Sequence, residues 1–87
     1  MKNYILFINP EALCREEKFG GIVRVDFQMF IFGKKEYSLI KKITKYCYYN
    51  DLDYKEKKIA DILLNKQVLL KIDSKVGEKI INKNIYR

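Results

Sequence analysis

The chain has 87 residues, 48% of them hydrophobic and 33% charged, which suffices for one small globular domain over residues 1–87 and excludes a second. It carries 18 basic and 11 acidic residues. The positive and negative charges of residues 1–33 cancel, so the whole excess of positive charge lies in residues 34–87 and favours an anionic partner. The absence of histidine excludes the commonest general base and most zinc sites, so we expect no catalysis, no bound metal and no cofactor.

The first third of the chain has the texture of β-sheet. An apolar run at residues 4–8 stops at Asn9 and Pro10, and residues 11–17 form a second extended candidate. The run is too short for a membrane span and lacks the cleavage site of a secretory signal, which favours a cytoplasmic protein. The two cysteines are expected to be small buried side chains in a reducing compartment, although a bridge between them stays open.

A hairpin is predicted next, with strands at residues 21–25 and 28–32 and a turn between them. Its second strand has large apolar side chains on both faces, with Met29 and Ile31 on one and Phe30 and Phe32 on the other. If this strand lies at a sheet edge, its unpaired N–H and C=O groups would accept an extended peptide. The alternative is that helices of the same chain cover it.

Helical periodicity begins after Gly33. Apolar residues at spacings of three and four predict a first helix over residues 35–48, and lysines fill its opposite face. A second helix follows Asp53, which acts as N-cap and forms a capping box with Glu56. The lysines in its first turn are unusual, because the helix dipole favours acids there, and an anionic ligand would offset them.

The pattern of the C-terminal part leaves two alternatives open. Residues 67–72 fit either the end of the second helix or a short strand, and the tail at 73–87 contains an amphipathic segment interrupted by Gly77. Strands followed by helices predict an α+β fold. We expect a winged-helix-like domain, in which a three-stranded antiparallel sheet is followed by two to three helices.

These features together resemble the PqqD-like family, the recognition elements for ribosomally made and post-translationally modified peptides. Members share an Arg-Glu-x-Phe-Gly-Gly type segment, an apolar strand that leads into a helix, and a later Asp-x-x-Leu-type helix. The matching residues over about 8–72 are Arg15, Glu16, Glu17, Phe19, Gly20 and Gly21, then Met29 to Phe32, then Asp61 and Leu64. Gly33 replaces the family's asparagine, and the short interval between Ile43 and Asp61 requires that the family's middle helix be abbreviated or lost.

The resemblance implies a protein that binds the leader of a precursor peptide and presents it to a modifying enzyme, of the radical SAM type. It also implies that the leader adds to the apolar strand and faces the last helix. The implied peptide-binding residues are Met29, Phe30, Ile31, Phe32, Lys55, Lys58 and Ile62. In the segment at 15–21 we expect Phe19 to fill the core, the glycines to open a strand, and Arg15 to pair with Glu16 or Glu17.

Two other functions fit the sequence. A small basic winged-helix protein could bind nucleic acid, although the second helix offers chiefly lysine where Arg, Asn or Gln would read bases. The chain could instead be a structural module that dimerises by pairing two edge strands. We expect no membrane partner.

Overall fold

The computed structural model describes residues 3–43 and 45–85, with side chains described as far as residue 79. Within these residues four strands precede the first α-helix, and helices and strands alternate after it. Their bounds are β1 Tyr4–Ile8, β2 Leu13–Glu17, β3 Gly20–Val25, β4 Gln28–Gly33, α1 Lys34–Lys42, β5 Cys47–Tyr48, α2 Tyr54–Asn65, β6 Leu69–Asp73 and α3 Ser74–Ile85, with a 3₁₀ turn at Tyr49–Asp51. The α+β class is therefore as predicted.

The strands form two antiparallel sheets of three strands each. Sheet A has the order β5-β1-β6, and sheet B has the order β2-β3-β4. The predicted hairpin is β3 and β4, joined by Asp26 and Phe27, and Asp26 adopts the left-handed region at φ 55°. Asp tolerates this conformation because its short side chain bonds locally, which lets a two-residue turn close without glycine.

One hydrophobic core joins the two sheets. Helix α1 packs on the inner face of sheet B, and helix α2 packs between α1 and β6. The fully buried side chains come from both halves of the chain and include Leu6, Val23, Ile43, Leu63, Val68 and Leu69. Each buried aliphatic side chain contributes about 1.5–3 kcal/mol, so the core holds the sheets in one fixed relation.

The single sheet that was predicted is wrong, because β1 pairs with the late strands β5 and β6. The first helix is also shorter than predicted and ends at Lys42, after which Ile43 leaves helical geometry at ψ 81°. Cys47 and Tyr48 then pair with Leu6 and Ile5. Local spacing predicted a helix through Tyr48, but the pairing of Cys47 and Tyr48 with the apolar strand β1 outweighs that local helical preference.

The second helix begins as predicted. Asp53 Oδ1 accepts from the Glu56 N–H at 2.8 Å, and Glu56 Oε1 accepts from the Asp53 N–H at 3.1 Å. Lys42 of α1 bonds the second oxygen of Glu56 at 2.8 Å, which ties the two helices together. The hydrogen bond from Lys42, followed by the backbone N–H of Asp53, lowers the pKa of Glu56.

The ambiguous segment at 67–72 contains strand β6, and the tail forms helix α3 over sheet A. Gly77 of α3 lies directly against Ile5 and Ile72, so the glycine that interrupts the pattern permits close packing. The amphipathic segment predicted in the tail includes apolar residues at 80, 81 and 85, whose side chains lie outside the described ones. None of the helices in residues 3–43 and 45–85 combines the length and apolar character needed to cross a bilayer.

Candidate functional site

The charged residues of the segment at 15–21 form two ion pairs on opposite faces of sheet B. Arg15 pairs with Glu17 at 2.8 Å on the outer face, which confirms one of the two expected pairings. Glu16 points to the inner side and accepts from Lys41 of α1 at 2.7 Å. This hydrogen bond raises the pKa of Lys41, and the pair fastens the end of α1 to strand β2.

The two glycines let backbone and helix approach sheet B closely. Gly20 has φ 147° and lies against the backbone of Phe32 and Gly33, and Gly21 lies under the ring of Tyr37 from α1. A side chain at either position would overlap these neighbours. The expectation that Phe19 fills the core is wrong, because its side chain is 50% exposed at the β2–β3 turn. Tyr37 fills that place instead.

Strand β4 is the last strand of sheet B and pairs only with β3 among the described residues. The closing pair of its two-residue turn, Val25 and Gln28, is a hydrogen-bonded pair, so every second residue of β4 bonds to β3. Gly33 belongs to the residues of β4 that do not bond to β3, since its N–H donates to Glu36 Oε1 at 3.2 Å. The N–H and C=O groups of Met29 and Ile31 therefore point to the open flank.

The side chains of β4 follow the predicted alternation. Met29 and Ile31 stand on the outer face of sheet B with 64% and 70% of their surface exposed. Phe30 is half-buried against the core, and Phe32 is 5% exposed inside it. Met29 and Ile31 can therefore meet a ligand, whereas the side chain of Phe32 supports the strand from below and is not a contact surface.

Helix α2 meets the strand at a residue that the sequence analysis did not assign. Lys66, at the C-terminal end of α2, places its ammonium 4.8 Å from the ring centroid of Phe30. Ile62 lies one turn earlier on the same side and is 49% exposed. Lys55 and Lys58 are exposed at the other end of the helix, and Lys58 lies about 12 Å along the axis from Lys66.

The surroundings of β4 are cationic. Arg24 stands directly opposite Met29 on the outer face, and Lys34 and Lys35 follow the strand at the start of α1. Arg24 makes no ion pair with any residue that the structure describes. The predicted hairpin register could have identified Arg24, since residues paired across strands share a face. Lys66 could only be found from the tertiary packing.

Two other sheet edges, at β2 and β5, are less suited to strand addition than β4. Strand β2 is the second edge of sheet B, but it carries Arg15, Glu16 and Glu17, and charged residues protect an edge against pairing. Strand β5 has only two residues and is too short to bind an extended segment. The stretch from Met29 to Phe32 contains no charge, proline or bulge that would oppose strand addition.

The described residues contain no cluster of three or more metal-ligating side chains. Cys14 is exposed and Cys47 is half-buried, so the expectation that both cysteines are buried is wrong, and both carry free thiols. Partial desolvation of the sulfur is the largest cause that raises the pKa of each thiol, even at the exposed Cys14 side chain, so both stay protonated at neutral pH.

Comparison of the chain with protein-family profiles, with curated proteins and with solved structures finds no match. Function is therefore inferred from the geometry of β4 and its neighbours.

Proposed function

We propose that this protein is a non-catalytic peptide-binding protein that captures the leader of a ribosomally made precursor peptide and delivers it to a modifying enzyme. The leader adds as a fourth strand of sheet B along β4. The observation that carries the proposal is the open flank of β4, where the backbone groups of Met29 and Ile31 have no partner among the described residues. A backbone edge of this kind binds an extended chain whatever its exact sequence.

Selectivity comes from the side chains around the edge. A guest strand beside Met29 and Ile31 would place alternate side chains on the apolar outer face of sheet B. Arg24, Lys34 and Lys66 would attract acidic residues of the guest. The ligand is thus a flexible segment in which apolar and acidic residues alternate. Because ordering such a segment costs entropy, we expect micromolar affinity, about −8 kcal/mol.

The resemblance to PqqD-like recognition elements supports the same function. The segment at 15–21 shapes the sheet that presents β4, since Gly20 and Gly21 admit the backbone of β4 and the ring of Tyr37. The proposal includes a winged-helix-like arrangement of sheet B with α1 and α2, a cytoplasmic location, and a radical SAM maturase as the enzyme served. The protein then acts as a separate subunit that contributes no catalytic group.

Titration of labelled candidate leader peptides tests the proposal. Ile31→Pro removes an N–H on the open flank and leaves the bonds to β3 intact, so it should weaken binding at least tenfold. Met29→Glu places an acid beside the guest and should weaken binding of an acidic leader similarly. Leu13→Glu is the matched control, because Leu13 is 68% exposed on the same face but at the opposite edge. Equal affinities for the wild type, Ile31→Pro and Met29→Glu would reject β4 as the site.

Binding of nucleic acid is the alternative, and the net charge of +7 favours it. The same titration with arbitrary duplex DNA separates the two functions. A nucleic-acid binder would lose affinity steeply between low and moderate salt, in proportion to the phosphates contacted. We expect only weak duplex binding, because the exposed face of α2 includes the apolar side chains of Tyr54 and Ile62.

A further inference from the structure

Strand β6 gives the molecule a second open edge, on the other sheet. Sheet A ends at β6, which pairs only with β1 among the described residues. Helix α2 lies between the two open edges, because its Lys66 contacts Phe30 of β4 while its body packs on β6. Nothing in the proposed function uses this second edge.

Two backbone hydrogen bonds establish which groups of β6 face outward. Asn9 N–H donates to the Val68 carbonyl at 2.9 Å, and Ser74 N–H donates to the Asn3 carbonyl at 3.3 Å. Both pairs continue the β1–β6 register, so the even-numbered residues of β6 bond to β1. The N–H and C=O groups of Leu69 and Lys71 therefore point away from β1, and no described backbone group bonds to them.

A cleft of about 730 Å³ runs along this edge. Four successive residues of β6, 69–72, line one wall, and successive residues reach both faces of a strand only where a cleft follows its edge. Asp61, Leu64 and Asn65 of α2 form the facing wall, and Phe7 of β1 closes the cleft on the side of Leu70. The cleft is thus a groove between an open strand and a helix.

The groove differs chemically from the surroundings of β4. Its apolar side chains, Phe7, Leu64, Leu70 and Ile72, are half-buried and present surface to the groove. Its charges nearly cancel, since one wall carries Asp61 and the other carries Lys71. Asp61 accepts a hydrogen bond from the Tyr49 hydroxyl at 3.0 Å, and the Lys71 ammonium lies 4.7 Å from the Tyr4 ring centroid. An uncharged, apolar ligand suits these walls better than an acidic one.

We infer that the β6 edge and the facing wall of α2 form a second strand-acceptor site, which binds an uncharged extended peptide segment with alternating apolar side chains. Such a segment pairs with the outward groups of Leu69 and Lys71 and places its apolar residues on the face of sheet A that carries Phe7, Leu70 and Ile72. Because the site uses neither Met29 nor Ile31, it can be tested independently of leader binding at β4.

The test uses a blocked hexapeptide of alternating leucine and threonine as probe, with the full chain labelled for NMR. We expect the probe to slow hydrogen exchange of the Leu69 and Lys71 amides at least tenfold, while the Leu70 and Ile72 amides, already bonded to β1, change little. Exchange at Leu69 and Lys71 that stays the same at millimolar probe overturns the inference. Protection confined to Met29 and Ile31 also overturns it, because the probe would then pair with β4 and not with β6.

Two substitutions sharpen the result. Lys71→Pro removes an outward N–H without touching the bonds to β1 and should weaken probe binding at least tenfold, whereas Ile31→Pro should leave it unchanged. If Lys71→Pro fails to fold, Asn65→Tyr fills the groove from the exposed face of α2 and should weaken binding equally. Probe binding that survives either folded variant contradicts the site. Loss of leader binding in Ile31→Pro alone, with probe binding retained, confirms two separate sites.

Discussion

The edges at β4 and β6 are alike in backbone and opposite in surroundings. Each is the last strand of a three-stranded antiparallel sheet, and each directs the groups of two residues to the open flank. Strand β4 carries the exposed side chains of Met29 and Ile31 and lies near Arg24, whereas β6 lines a groove whose charges nearly cancel. An open strand edge supplies affinity for any extended chain, and the neighbouring side chains select which chain binds.

Hydrogen exchange in the unliganded protein tests the likeness of the two edges, and its expected effect is the largest. The amides of Met29, Ile31 and Lys71 should exchange on the order of 10³-fold faster than those of Phe30 and Leu70, which are bonded within the sheets. Residue-resolved exchange by NMR measures this. Slow exchange at Met29 and Ile31 would mean that the β4 flank is covered in solution, and the proposed function would be lost with it.

Two glycine substitutions test how tightly a helix packs on each sheet. Gly21→Ala drives a methyl group into the Tyr37 ring and should lower the free energy of unfolding by about 1–3 kcal/mol, because α1 can no longer seat on sheet B. Chemical denaturation measures the change. A Gly21→Ala protein with wild-type stability would contradict the packing on which β4 depends.

Gly77→Ala is the matched change on sheet A. The new methyl group would lie 2.6 Å from Ile5 Cδ1, the flexible end of that side chain, while alanine favours the helix by about 1 kcal/mol. The two effects oppose each other, so we expect a net change within about 1 kcal/mol. A loss as large as that of Gly21→Ala would show that α3 is fitted to sheet A as tightly as α1 is to sheet B.

A small effect is also expected in helix α2, which lies between both edges. Asp53→Ala removes the N-cap and should lower the free energy of unfolding by about 1 kcal/mol, with both proposed binding activities retained in the folded protein.

Because the pKa of Glu56 is lowered in the folded state, its carboxylate stabilises the fold at pH values above its ordinary pKa. That contribution is lost as the pH falls through the lowered pKa. Denaturation at neutral and acidic pH should therefore show a smaller pH dependence in Glu56→Gln than in the wild type.

Several parts of this structure could be predicted because they depend on neighbours in the chain. The hairpin of β3 and β4, its turn at Asp26 and the Asp53 cap all follow from short-range patterns. The alternation along β4 also identified Met29 and Ile31 as one face. The end of α1 at Lys42 and the exposure of Phe19 could not be predicted, since distant partners decide them.

Local patterns predict the α+β class, the hairpin, the N-terminus of α2 and the apolar face of Met29 and Ile31, because periodicity and capping act over a few residues. Tertiary packing places β1 with β5 and β6 in a second sheet and brings Lys66 over Phe30. Which flank of a strand stays open depends on which distant segments pair with it. That choice is made by the packing of the whole core, and no local pattern encodes it.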